Sequence, residues 1–337
     1  MKIRYRTKRT STRHHIYILL LLMIGFAHLS FWPTAQVAAS TSRMAPMAVE
    51  QFAQQQVNAL GASNPDWVAA KLEYFPLGPG THSWLVHANI QDKRIGYLII
   101  SINAQGEFLL SEYGLGDHVL YSNDTLGQAL ERQNLNIDSL KAVGGKLSLQ
   151  YAAPLLAYWK VEDANHSALY IDASNGDLLP SGILERLETN SGKQKLGFTE
   201  QNKLQEPQFK SSGKAPITSP VHLRPAFDPS LQLNWLTSEP LQPNQVEQEI
   251  QHSPASALVF SAGEHNLFYG GPLPVSGYQL WHTEKTSKDH TDPINKPGSG
   301  LDSDSVLYVG LGGLNSTQRF VPLNKLMYDG EFYLSRP

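Results

Sequence analysis

Cysteine is absent from all 337 residues. That single absence excludes disulfide cross-links, a thiolate metal site and a catalytic thiol. Charge is also scarce. Asp, Glu, Lys and Arg make up 17% of the chain, and 27 Lys+Arg against 30 Asp+Glu give a formal charge of −3. A nucleic-acid binder needs a basic surplus to displace counterions, so that class is excluded as well. The patterns G-x-S-x-G, H-E-x-x-H and G-x-x-x-x-G-K-[ST] do not occur, which removes the usual carriers of serine hydrolase, zinc protease and P-loop chemistry. What the chain does have is 26 Gly and 21 Pro. Turn residues at that density fit a β-rich or α+β protein better than a helical bundle.

The most polarised segment is the first. Lys2, Arg4, Arg6, Lys8, Arg9 and Arg13 precede an apolar stretch over 16–27 that continues less purely to Trp32. A basic flank followed by an apolar segment is an export signal, with the basic end held on the cytoplasmic side. Val37 and Ala39 stand at the small-residue positions of a signal-peptidase site before Ser40, while counting Leu29 to Trp32 lengthens the segment toward a retained anchor. Cleaved signal peptide and membrane anchor both stay open for residues 1–39. Six of the Lys+Arg and none of the Asp+Glu lie there, so the exported remainder carries −9. An acidic surface does not dock on anionic lipid, so contact with a membrane is expected only through the N-terminal segment.

Residues 48–60 place Val49, Phe52, Ala53, Val57 and Leu60 on one helical face, with Gly61 as a stop. Runs at 83–89, 96–103 and 107–113 alternate or are rich in branched and aromatic residues, and predict a three-strand meander. A short helix is expected from Asn123 or Thr125, with Gln128 placed for a capping box, followed by strands at 147–151, 155–161 and 168–172. Residues 188–220 are polar and Pro/Gly/Ser-rich and read as a flexible linker. Beyond it, a short helix over 243–251 and strands at 257–261, 266–269, 277–282, 306–311 and 319–322 predict a small barrel or compact antiparallel sheet.

Tyr158-Trp159-Lys160-Val161 followed by Ala168-Leu169-Tyr170-Ile171-Asp172-Ala173-Ser174-Asn175-Gly176-Asp177 resembles the end of a bacterial PepSY-type domain, a W-x-V strand and then Y-I-D-A-x-x-G-[DE]. The segments 96–101 and 106–113 are similar to the prodomain of streptopain-type secreted cysteine peptidases. The resemblance covers about residues 47–180. It implies a helix on a curved antiparallel sheet, PepSY- or cystatin-like, that inhibits a peptidase or assists its folding. The thiol of such peptidases is missing, so their activity is not carried over.

The expected organisation is therefore α+β: a PepSY-like domain over 47–187, the linker over 188–220, and a small β-rich domain over 221–337. The expected function is an exported, non-enzymatic binding protein whose partner is an exported protein or peptide, with a peptidase as the implied class. No cofactor and no metal are expected. Exposed strand edges offer backbone pairing to an extended peptide. The run 107–113 is read as that edge, with Glu107, Leu109, Ser111 and Tyr113 as partner-binding residues.

Other constellations are weaker. His282, Glu284, Asp289, His290 and Asp292 lie in a stretch of Lys, Thr, Ser, Pro and Gly that reads as a solvated loop. Asp302 and Asp304 start like a calcium loop, but Val306 stands where the next ligand is required. Trp235, Trp281 and Phe332 either rim a groove or fill the core of the second unit. Two rival functions follow: a hydrolase with a dispersed site around His282 and Asp289, and a cell-surface glycan-binding or structural protein using the aromatic residues.

Overall fold

The computed structural model describes residues 44–78, 83–103, 105–118, 120–164, 166–182, 184, 216–225, 227–282, 305–313 and 318–335. The expectations for residues 1–39, for most of the 188–220 linker and for Glu284 to Asp304 lie outside these residues. No helix among the described residues is long and apolar enough to cross a membrane.

The chain opens on α1 (Met47–Gly61) and the one-turn α2 (Asp66–Ala69). Four strands follow: β1 (Lys71–Leu77), β2 (Ser83–Ile90), β3 (Lys93–Ile102) and β4 (Phe108–Leu115). The β2–β3 turn puts Gln91 and Asp92 at φ 47° and 64°, the left-handed pair that a two-residue hairpin needs to match strand twist. Then come α3 (Asn123–Arg132) and α4 (Ile137–Ala142), and a hairpin-based unit of β5 (Lys146–Ala153), β6 (Leu156–Glu162) and β7 (Ala168–Asp172). After residue 216 lie the two-residue strands β8 (Ile217–Thr218) and β9 (His222–Leu223), α5 (Pro243–His252), β10 (Ala257–Ser261) and the one-turn α6 (Asn266–Tyr269). The chain finishes with β11 (Leu273–His282), β12 (Ser305–Leu311), β13 (Gln318–Pro322), α7 (Leu323–Asp329) and β14 (Glu331–Ser335).

The fold is mixed helix and antiparallel sheet, with strand predominating. The expected second β unit does not close by itself into a barrel. Its strands extend the first sheet in the order β1-β2-β3-β4-β13-β12-β11-β10-β14, with β8 and β9 on β11. The join is made by β4 and β13, where Leu115, Gly114 and Tyr113 pair with Gln318, Arg319 and Phe320. Strands from both sides of the expected linker thus share one sheet, and the described residues belong to one compact unit. Backbone groups of a strand need partners, and β4 and β13 satisfy each other.

Each face of the large sheet carries a core. On one, α1 buries Val49, Phe52, Ala53 and Val57 against Val86, Leu98, Ile100 and Tyr113, and the same cluster runs on through Phe320, Tyr308 and Trp281. Burying each such large apolar side chain is worth about 1.5–3 kcal/mol. On the other, Leu258, Phe260, Leu307 and Val309 pack with Val246 and Ile250 of α5 and with Leu156, Tyr158 and Tyr170 of the three-stranded sheet β5-β6-β7.

Local details depart from expectation. Residues 266–269 form a helix, not a strand, because the Asn266 carboxamide accepts the Ala262 N–H at 2.9 Å and Gly270 stops the turn at φ 76°. The N-cap of α3 is Ser122 rather than Thr125. For α5 the capping box is Gln242 with Gln245, and at its other end Arg224 donates to the carbonyls of Glu249, Ile250, Ser253 and Ser256.

Candidate functional site

The residues expected to form a binding edge lie on or just before a strand that is flanked on both sides over only part of its length. β4 pairs with β3 along its length and with β13 from Tyr113 to Leu115, so it is flanked on both sides only from Tyr113 onward. Glu107 closes the preceding turn, its N–H and carboxylate both bonded to the Asn103 side chain. Leu109 is half-buried opposite Ser101, and Ser111 is the extra residue of a bulge facing Ile99 and Ile100. Tyr113 is fully buried, stacked on Phe320 at 4.8 Å, with its hydroxyl donating to Gln279 Oε1 at 2.5 Å. Even the free stretch before Tyr113 is used, because Tyr308 donates to the Leu110 carbonyl at 2.6 Å. The edge assignment is therefore corrected for Tyr113, which is buried and paired on both sides. Leu109→Pro is expected to destabilise the protein, since it disturbs the β3–β4 ladder opposite Ser101. A thermal melt checks this: a Tm within about 2 °C of wild type would contradict a role of Leu109 in that ladder.

Beneath β4 lies the most elaborate polar arrangement of the molecule. Glu112 is fully buried and accepts from Arg319 Nε at 2.7 Å and from a terminal guanidinium nitrogen at 3.0 Å. It also accepts from Tyr97 Oη at 2.7 Å, Tyr151 Oη at 3.3 Å and the Leu155 N–H at 3.1 Å. Arg319 returns to the Leu155 carbonyl at 2.9 Å, so both backbone groups of Leu155 are held, and this non-glycine residue sits at φ 67°. Burial alone would lower the Arg319 pKa, but the Glu112 carboxylate beside it outweighs this and raises it. Burial, reinforced by Glu112, keeps the Tyr97 and Tyr151 hydroxyls protonated far above the ordinary range. Gly114 leaves room for this cluster, since a Cβ there would run into the Tyr97 ring. Every member has a partner. The cluster is a clamp between β4, β13 and the β5–β6 turn, without an acid or base free to exchange protons with a substrate.

The ends of the sheets differ in how they are covered. On β14 the outer side is occupied by the segment after Trp235: the Leu241 N–H donates to the Phe332 carbonyl, and Ser238 Oγ to that of Leu334. β7 is covered by its own continuation, with Leu179 N–H on the Tyr170 carbonyl and Asp172 N–H on that of Asp177. β1 is held at its C-terminal end, where Gly78 bonds to Leu149 and Tyr151 of β5. Over 71–75, no described strand pairs with the side of β1 facing away from β2.

This open stretch has a mixed character. Leu72 and Tyr74 are half-buried, packed against the α1-side core, and the Tyr74 hydroxyl is pushed above its ordinary range by burial and by Glu50 of α1. Lys71, Glu73 and Phe75 alternate with them. Lys71 pairs with Glu73 at 3.5 Å, and Glu73 accepts from Asn89 at 3.2 Å. Phe75 packs on the His87 ring at 5.1 Å. The arrangement presents backbone donors and acceptors for an added strand, with an apolar row for every second side chain of that strand. Sequence analysis did not find β1. Pro76 and the adjoining Gly/Pro-rich stretch read as loop, and the signal that could have found it is the alternation of Lys71, Glu73 and Phe75 with Leu72 and Tyr74.

A cleft of about 510 Å³ opens near the start of β1, lined by Trp67, Ile95, Val221 and Gln279, with Asp66 and Arg94 among its charged residues. Its floor is fixed. Gln279 Nε2 donates to the Ser219 carbonyl at 2.8 Å while its Oε1 takes the Tyr113 hydroxyl. Lys93 and Asp117, 3.8 Å apart, form an exposed ion pair at the rim and leave the cleft without a dominant sign of charge. The three aromatic residues considered for a groove are core: Trp281 and Phe332 are at most 1% exposed and Trp235 is 7% exposed, its indole N–H bonded to the Pro229 carbonyl. Among the described residues no three His, Asp or Glu side chains are grouped to hold a metal ion. No protein-family model matches the chain, and no curated protein or solved structure matches it either.

Proposed function

We propose that this is an exported binding protein that receives an extended segment of a partner polypeptide as an additional strand on β1. The observation that carries the reading is the uncovered outer side of residues 71–75, on a sheet whose opposite end is covered by its own chain. Half-exposed Leu72 and Tyr74 supply side-chain contacts to accompany the backbone pairing. The basic, then apolar, N-terminal segment supports export, either as a secreted or as a membrane-anchored protein with its bulk outside the cytoplasm. The PepSY-type resemblance over about 47–180 makes an exported peptidase the leading class of partner, bound by an inhibitor or folding modulator.

Selection from a displayed library of random decapeptides, against protein produced from the full chain, tests the reading. Peptides with alternating apolar residues are expected. Leu72→Lys or Tyr74→Lys should weaken their binding at least about tenfold while leaving the melting curve near that of wild type, because both side chains are half-exposed. Equal affinity for folded wild type and both variants would reject β1 as the site.

A further inference from the structure

One pair of side chains away from β1 has the geometry of a nucleophile with its base. His282 ends β11 and Ser305 begins β12, and the two are cross-strand partners. His282 Nδ1 lies 2.7 Å from Ser305 Oγ. The backbone under them is well fixed: the next pair, Trp281 with Val306, is buried in the α1-side core, and Leu307 is buried on the opposite face. His282 itself is exposed and Ser305 beside it is 9% exposed, so a small carbonyl group approaches the pair over the imidazole. On its other side His282 pairs with Ile217 of β8, which is 54% exposed and offers an apolar shelf beside the imidazole.

We infer that Ser305 is an acylatable nucleophile with His282 as its general base, and that the pair cleaves small carboxylic esters with an apolar acyl group. In the first half-reaction Ser305 Oγ bonds to the ester carbonyl carbon as Nδ1 takes the hydroxyl proton. The carbon–alkoxy bond then breaks, and the alcohol leaves with that proton. In the second half-reaction water bonds to the acyl carbon, gives a proton to Nδ1, and displaces Ser305 Oγ, which recovers the proton as the carboxylic acid departs. No redox partner is required. This inference concerns a different part of the molecule from β1 and stands apart from the binding role.

The test is labelling of the full chain by a fluorophosphonate, in which an oxygen–phosphorus bond forms as phosphorus–fluorine breaks and HF is lost, followed by peptide mapping and p-nitrophenyl butyrate hydrolysis. Wild type should carry the label on Ser305. Ser305→Ala should lose both the label and the hydrolysis, and His282→Gln, which retains a hydrogen-bonding side chain but no base, should slow labelling by about 100-fold or more at an unchanged Tm. An unlabelled Ser305 in folded protein overturns the inference. So does a rate unaffected by His282→Gln, which would leave the pair as a cross-strand hydrogen bond. A drop in Tm in His282→Gln is separated from loss of chemistry by His282→Asn, which must then fold and still fail to label.

Discussion

Replacing Arg319 by Met is expected to lower the unfolding free energy by about 3–5 kcal/mol. The loss comes less from the attraction given up than from what stays behind. Glu112 would remain fully buried, with only Tyr97, Tyr151 and the Leu155 N–H to solvate its charge. The Leu155 carbonyl would lose its guanidinium donor at the same time, freeing a residue held at φ 67°. Because Glu112 lies on β4, Arg319 on β13 and Leu155 in the β5–β6 turn, the two sheets should loosen together in one transition. The double variant Glu112→Leu with Arg319→Met removes both charges and should recover a sizeable part of the loss, although the tyrosine hydroxyls then lack their acceptor. Urea unfolding of wild type, both single variants and the double variant measures each term. A single-variant loss below about 1 kcal/mol would mean that water reaches the pair and that it acts as a surface salt bridge.

The second large effect concerns acid. His87 is 3% exposed, packed on Phe75, and neither ring nitrogen meets hydrogen-bonding geometry with a described residue. Burial first, and the nearby charge of Arg94 second, push its pKa down to about 3, with the Leu120 backbone offsetting only part of this. The unfolded chain protonates this imidazole near the ordinary value of about 6.5, whereas the folded protein does not. Between those two values the unfolded state therefore binds more protons, and stability falls as pH falls. The contribution is complete above about pH 6.5 and diminishes toward pH 3. From pH 7 to pH 4 it amounts to about 3 kcal/mol. Groups facing this site include Glu73 on β1, Arg94 and Tyr97 on β3, and the backbone of Leu120. Asp329 works in the opposite sense: burial raises its pKa to about 6, so folding is favoured as pH drops toward that value and below. His87→Leu isolates the histidine, since the difference between its pH–stability curve and that of wild type cancels the other groups. The curve of His87→Leu should be flatter between pH 6.5 and 4, and parallel curves would show that His87 is protonated in the folded protein.

Much of the local structure was legible in the sequence, and the long-range structure was not. The apolar face of α1 and the strands β2, β3, β5, β6, β7, β10 and β12 follow from periodicity and turn residues, and the structure places them close to their expected limits. Pairing between β4 and β13 joins residues about 200 positions apart, and no local pattern encodes it. Tyr113, at the end of the run that reads as an edge, is therefore flanked on both sides. Glu112 did leave a trace, as a lone acid between Ser111 and Tyr113 in a mostly apolar strand. Arg319 left none, since Gln318 and Arg319 look like solvated residues before a short apolar run. β1 was hidden by Pro76, although proline is tolerated at the edge of a sheet for the same reason that the edge is open: its missing N–H costs no ladder bond on the free side. α7 and β14 were missed because Met327 to Phe332 combines two acids, a glycine and aromatics with no sustained period.

The central claim is that β1 accepts a strand, and amide hydrogen exchange tests it most directly. Exchange of the full chain would be followed with and without a decapeptide recovered from the displayed library. Strand addition predicts slowed exchange of those amides within residues 71–75 that face away from β2, and little change in β4, which pairs with β3 along its length and with β13 from Tyr113 to Leu115. Protection confined to residues 107–113, or to the cleft around Trp67 and Gln279 with none in β1, would contradict it.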